Sequence, residues 1–272
     1  MIKIIDLDRL FDKYIEKYVY ENVGKVKPEE IENEIPVLYA KFGDETLSEL
    51  DGATPNSYYR KFGAEGLLNT LKEHIERGVS VSDFLCEAIT ADKDCEKAVK
   101  SELLKENSAE YTAYLMNFLS DINGDIPIGR YLEFALFDYP EEIGELATEF
   151  LGKNADKAKS AVLTALSDAA EDKKSRLYEI LSCVKEREDA VFDALVAGFF
   201  KHAGEIPLYS SFLARYGDER AIPFLSAAAD GDVNYADFEE LRFAIEALGG
   251  EYKGKKDFSA DKIYKKIKGD GK

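Results

Sequence analysis

The chain has 272 residues, 45% of them apolar, enough to bury a full-sized core without a disulfide or metal framework. Its 54 acidic and 36 basic side chains leave a formal charge of −18, a field that repels phosphate backbones and argues against nucleic-acid binding through a broad basic surface. Cys86, Cys95 and Cys183 form no close pairs, Asp6 and Asp8 interrupt the first apolar stretch, and no later run approaches the ~18 uncharged apolar residues of a membrane span. The expectation is a cytoplasmic protein with no membrane contact.

In chain order, the N-terminal MIKII is too short to argue a strand, and clean period-two alternation is nearly absent afterwards. NEIPVLYAKFGDETLSEL, residues 33–50, places Pro36 after Ile35 at the head of an apolar run, where a helix tolerates a missing N–H. Gly43-Asp44 then predicts a left-handed helix end followed by a cap. Leu67, Leu68, Leu71 and Ile75 make one helical stripe. Ser80 or Ser82 caps the next helix, which carries Phe84, Leu85, Ala88 and Ile89. Helical periodicity continues through SAEYTAYLMNFL, EEIGELATEFL, DKAKSAVLTALSDAA, KSRLYEILSCV and EDAVFDALVAGFF, separated by short polar gaps. Pro127 and Pro207, each after Ile, repeat the Ile-Pro start, and Gly217-Asp218 repeats the Gly-Asp corner. The pattern predicts an all-α chain of helix, tight corner and helix.

The segment YGDERAIPFLSAAADGDVNYADFEELRFAIEALGG, residues 216–250, resembles the HEAT-like helical repeats of phycobilisome lyase-type proteins. GDERAIPFL matches the family's first helix, with Pro223 where that helix often kinks, and LRFAIEALGG matches the second helix and its terminal Gly. The family's usual Asp lies four or six residues before its Arg; here Asp237 lies five before Arg242. The resemblance implies an α-solenoid of antiparallel helix pairs over residues 1–252 that binds other proteins, with the second helix lining the concave surface. It does not imply lyase activity, because no catalytic motif comes with the repeat.

Motifs that carry chemistry are incomplete. GGEYKGKK, residues 249–256, nearly spells a phosphate loop but has Lys256 in place of the hydroxyl and a helix where a strand is needed. DGDVN, residues 230–234, and DINGD, residues 121–125, begin like calcium loops, then place Tyr235 and Ile126 where Gly is required and Leu241 and Leu132 where Glu is required. His74 and His202 have no partner at metal-binding spacing and read as surface or helix-terminal residues. Cys86 and Cys95 read as packed thiols. The acidic clusters Glu29, Glu30, Glu32, Glu34 and Glu141, Glu142, Glu145 read as helix N-terminal turns. No cofactor and no metal are expected.

The function expected is therefore a non-catalytic scaffold or adaptor that binds a protein or peptide, a basic one given the acidic body. Glu239, Arg242 and Glu246, at i, i+3 and i+7 beside the core stripe Phe238, Leu241, Ile245 and Leu248, are the candidate partner-binding residues. Two other classes stay open: a DNA-modifying or lyase-type enzyme on the same scaffold, which the charge disfavours, and a subunit buried permanently in a complex. Residues 253–272 carry eight Lys and three Asp, a basic tail in which Ser259 caps a short helix with Ile263, Tyr264 and Ile267 among Lys262, Lys265, Lys266 and Lys268. Too short to stand alone, that helix closes the end of the solenoid or leans by its lysines on the acidic body.

Overall fold

A computed structural model describes residues 2–22 and 28–269; the side chains of Pro28, Glu29, Glu30 and Lys268 and the last three residues of the tail lie outside the described residues. Helix makes up 72% of the protein, about twice the share in an ordinary mixed domain, and no strand occurs among the described residues. Leu47 and Ala53 form one isolated bridge around a 3₁₀ turn. The helices pack mainly against their neighbours in sequence and divide into two units, Met1–Pro127 and Ile128–Lys272.

The N-terminal unit contains α1 (Leu7–Glu21), α2 (Pro28–Gly43), α3 (Pro55–Tyr58), α4 (Ala64–Glu76), α5 (Asp83–Ala91), α6 (Cys95–Leu103) and α7 (Ala109–Asp121). Helix α4 touches α5, α6 and α7, and its predicted stripe supplies Leu67, Leu68 and Leu71 to a core shared with Leu85, Val99 and Leu115. α1 and α2 pair with each other, and rings bind them to α5: Tyr39 stacks on Phe84 at 4.9 Å, and Phe42 lies 5.4 Å from Phe11.

Several local expectations change here. Pro36 does not start a helix; it sits inside α2 on an exposed face, where water can satisfy the carbonyl that loses its N–H partner. Gly43 is not left-handed. A Cβ there would meet Asn56 Nδ2 at 2.7 Å, the end of a side chain that can shift, and that same amide donates to Asp44 at 2.9 Å; the next N-cap is Leu47, so Asp44 does not cap a helix. Ser82 holds the N-cap position of α5 without a side-chain cap bond, and Ser80 donates to Asp8 instead. His74 stands in the last turn of α4 but is fully buried, with Nδ1 2.8 Å from the Ser80 carbonyl oxygen. Cys95 is buried as expected, whereas Cys86 is only partly so.

Candidate interaction face

The C-terminal unit is a run of hairpins: α8 (Ile128–Leu136) with α9 (Glu141–Lys153), α10 (Ala155–Asp168) with α11 (Lys174–Ser182), α12 (Asp189–Lys201) with α13 (Ile206–Tyr216), and α14 (Ile222–Asp230) with α15 (Tyr235–Ala247). The second helices stack on one another in order, α9 on α11, α11 on α13 and α13 on α15. Their buried stripes keep one register. Ala147, Leu177, Tyr209 and Leu241 fill matching places and, one turn on, so do Leu151, Leu181, Leu213 and Ile245, a spacing of roughly 30 residues typical of a helical-hairpin repeat. The Ile-Pro pairs do not follow this register: Pro127 precedes a first helix, whereas Pro207 lies in the first turn of a second helix.

Corner chemistry sets the hairpin geometry. Gly217 ends α13 in the left-handed region at φ 73°, and Asp218 accepts from the Arg220 backbone N–H at 3.0 Å and is gripped by the Arg220 guanidinium. Arg220 also reaches Asp189 at 2.7 Å, tying this corner to the start of α12. Pro223 marks the first turn of α14 rather than a kink, because the preceding GDERA folds as the corner and a 3₁₀ turn.

The nominated residues lie on α15 as one surface ladder. Arg242 meets Glu239 at 3.1 Å and Glu246 at 3.2 Å, whereas Asp237 accepts from the side chain of the N-cap Asn234. Phe238, Leu241 and Ile245 are buried beside them, and Leu248 is half-buried. Sequence reasoning missed Phe243, which lies on the side of α15 away from the buried stripe and is 58% exposed. Its neighbours gave no signal, because an apolar residue off a stripe is ordinary on a surface.

Further along the row, the C-terminal ends of α9, α11 and α13 surround an open groove of about 780 Å³. Thr148, Gly152, Ser182, Cys183 and Tyr216 line it among charged side chains. Thr148 and Ser182 spend their hydroxyls on carbonyls of their own helices, at 2.8 and 2.6 Å. Cys183, partly exposed at the end of α11, lies 3.9 Å from Arg215 Nη1. Arg187 donates to the Gly217 carbonyl at 2.8 Å and lies over the Tyr216 ring.

The tail packs on the last hairpin. Gly249 is left-handed after α15, and Phe258 is buried against Phe238 at 4.9 Å and Tyr235 at 5.3 Å. α16 (Lys262–Gly269) is capped by Asp261, not Ser259: its carboxylate accepts from the Ile263 and Tyr264 N–H groups and from the N–H of Tyr235, which holds its pKa below the usual range. Ile263 and Ile267 are exposed, and Lys262, Lys265 and Lys266 have no charged partner among the described residues. Lys256 reaches the Ala229 and Gly231 carbonyls, so GGEYKGKK closes the α14–α15 hairpin. DGDVN is the turn of that hairpin, with Asp230 accepting from Tyr252 at 2.6 Å.

No helix among the described residues is long and apolar enough to cross a membrane. No family model, curated protein or solved structure matches the chain.

Proposed function

We propose that the chain is a non-catalytic scaffold built of HEAT-like hairpins that binds a protein partner along its row of second helices. The observation that carries this reading is the row itself: four stacked helices with one buried register, ending on α15, where the Glu239–Arg242–Glu246 ladder flanks the exposed Phe243. An aromatic ringed by charged groups is the usual composition of an interface anchor. Two carboxylates to one guanidinium make this end of the row acidic, which suits a basic segment. Three free thiols fit a reducing compartment such as the cytoplasm.

Capture of partners from a lysate on the immobilised full chain tests the reading. Phe243→Ala and the triple variant Glu239→Ala, Arg242→Ala, Glu246→Ala should each deplete the same captured protein, and the capture should weaken in about 1 M salt. Equal capture by wild type and both variants refutes it.

A further inference from the structure

We propose that the groove at the ends of α9, α11 and α13 is a second site on the same row, taking an extended peptide through a carboxylate side chain. It builds on the row being a binding face but uses none of the α15 residues. The volume, about 780 Å³, is within the range of roughly 300–1,000 Å³ that holds small ligands, and its open form suits a segment passing through.

Charge selects the occupant. In a chain of net −18 the groove is lined by four cations, Lys153, Lys185, Arg187 and Arg215, and three carboxylates, Glu149, Asp156 and Glu179. Glu149 and Lys153 cancel in an ion pair at 2.6 Å, and Asp156, held by the backbone N–H groups of Lys185 and Glu186 at 3.0 and 3.2 Å, stands with Glu179 against Lys185, Arg187 and Arg215. Glu179 reaches Arg215 only at 3.5 Å, so most of that guanidinium's five donors stay open. Lys185 has no charged partner among the described residues. Complementing a helix C-terminus would account for Lys153 and Arg215, which stand in last turns, but not for Lys185, which lies beyond the end of α11. The surrounding negative field repels long polyanions, which leaves a single carboxylate on a peptide as the matching ligand.

Cys183 is a built-in reporter. Burial pushes the Cys86 thiol up to about 11 and the Cys95 thiol up to about 12, so near neutral pH both react slowly, while Cys183 faces the groove. The test follows iodoacetamide modification of each thiol of the full chain by mass spectrometry, with a blocked hexapeptide carrying one glutamate, its glutamine counterpart, or inorganic phosphate. The glutamate peptide should slow Cys183 modification saturably and the glutamine peptide should not. Lys185→Ala and Arg215→Ala should each raise the half-protecting concentration by up to about fivefold, as expected for one exposed ion pair. The triple α15 variant should be protected like wild type, which separates this site from the one on α15. No protection at millimolar peptide, equal protection by the glutamine peptide or by phosphate, or an unchanged half-protecting concentration in both single variants overturns the proposal.

Discussion

Gly217 and Gly249 adopt the same left-handed backbone, φ 73° and 81°, just past the second helices of successive hairpins. The Gly217 N–H returns to the Leu213 carbonyl, and the Gly249 and Gly250 N–H groups return to Glu246 and Ile245, so both corners close the helix end with backbone bonds that need a positive φ. Gly217→Ala and Gly249→Ala should each destabilise by about 1 kcal/mol, the cost of a Cβ in that region. At Gly217 the Cβ would also displace Arg187, whose Nη2 would be 3.0 Å away. Gly129, in the first turn of α8 with open space around it, should gain about 0.4–1 kcal/mol as Ala. Urea unfolding of the three variants checks the opposite signs.

Gly198 is required for a different reason. It is buried in α12 under the Tyr178 ring, and a Cβ would lie 2.7 Å from two ring carbons. Tyr178 cannot retreat easily, since Tyr209 packs on it at 5.4 Å. Overpacking of about 1–3 kcal/mol should outweigh the gain of about 1 kcal/mol from helix propensity, so Gly198→Ala destabilises. In a Tyr178→Ala background the same change should become neutral or stabilising, which a double-mutant cycle from denaturant melts reads directly.

Helix existence was legible because stripes such as Leu67, Leu68 and Leu71 follow from periodicity alone, and the Gly217-Asp218 corner from the chemistry of two residues. The repeat register was not. The Ile-Pro pairs stood out because proline is rare, yet proline reports only what a single helical turn tolerates, as Pro36 inside α2 shows. The register is carried instead by buried Ala147, Leu177, Tyr209 and Leu241, whose volumes differ so much that no letter repeats. The ladder on α15 could be read from i, i+3 and i+7 spacing, because both ends are on one helix. The groove could not, since Lys153, Lys185 and Arg215 come together only through stacking of three hairpins.

The tail is held by an aromatic plug rather than by charge. Phe258, Tyr264 on the Tyr235 ring at 5.0 Å and the Asp261 cap carry its contacts to α15, while Lys262, Lys265 and Lys266 have no ion pair among the described residues. Phe258→Ala should therefore release the segment from about residue 253 onward to trypsin while the hairpins stay resistant, with a local cost of about 3–5 kcal/mol if the site cannot collapse. Raising salt to about 1 M should leave wild-type protection unchanged, since screening acts on charges and not on the ring. Release by salt alone would show that the lysines hold the tail.

Acid should act on the unit through Glu171. Its carboxylate takes Lys201 at 2.8 Å and Lys174 at 3.0 Å, with His202 Nε2 3.3 Å away, and the Lys201 hydrogen bond foremost, then Lys174, lowers its pKa from 4.5 to about 2. A carboxylate whose folded pKa lies below its unfolded value stabilises fully above the unfolded value, and loses that contribution as pH falls toward the folded one. The window is therefore pH 4.5 down to about 2. Glu171→Gln should lower the urea midpoint at pH 6, by a small amount because the site is half-exposed and solvent screens it. The gap to wild type should narrow at pH 3.5 and close near pH 2, where the wild-type carboxylate is protonated too. A gap that persists at pH 2 would assign the loss to packing of the side chain, since only the ionic part can disappear with the charge.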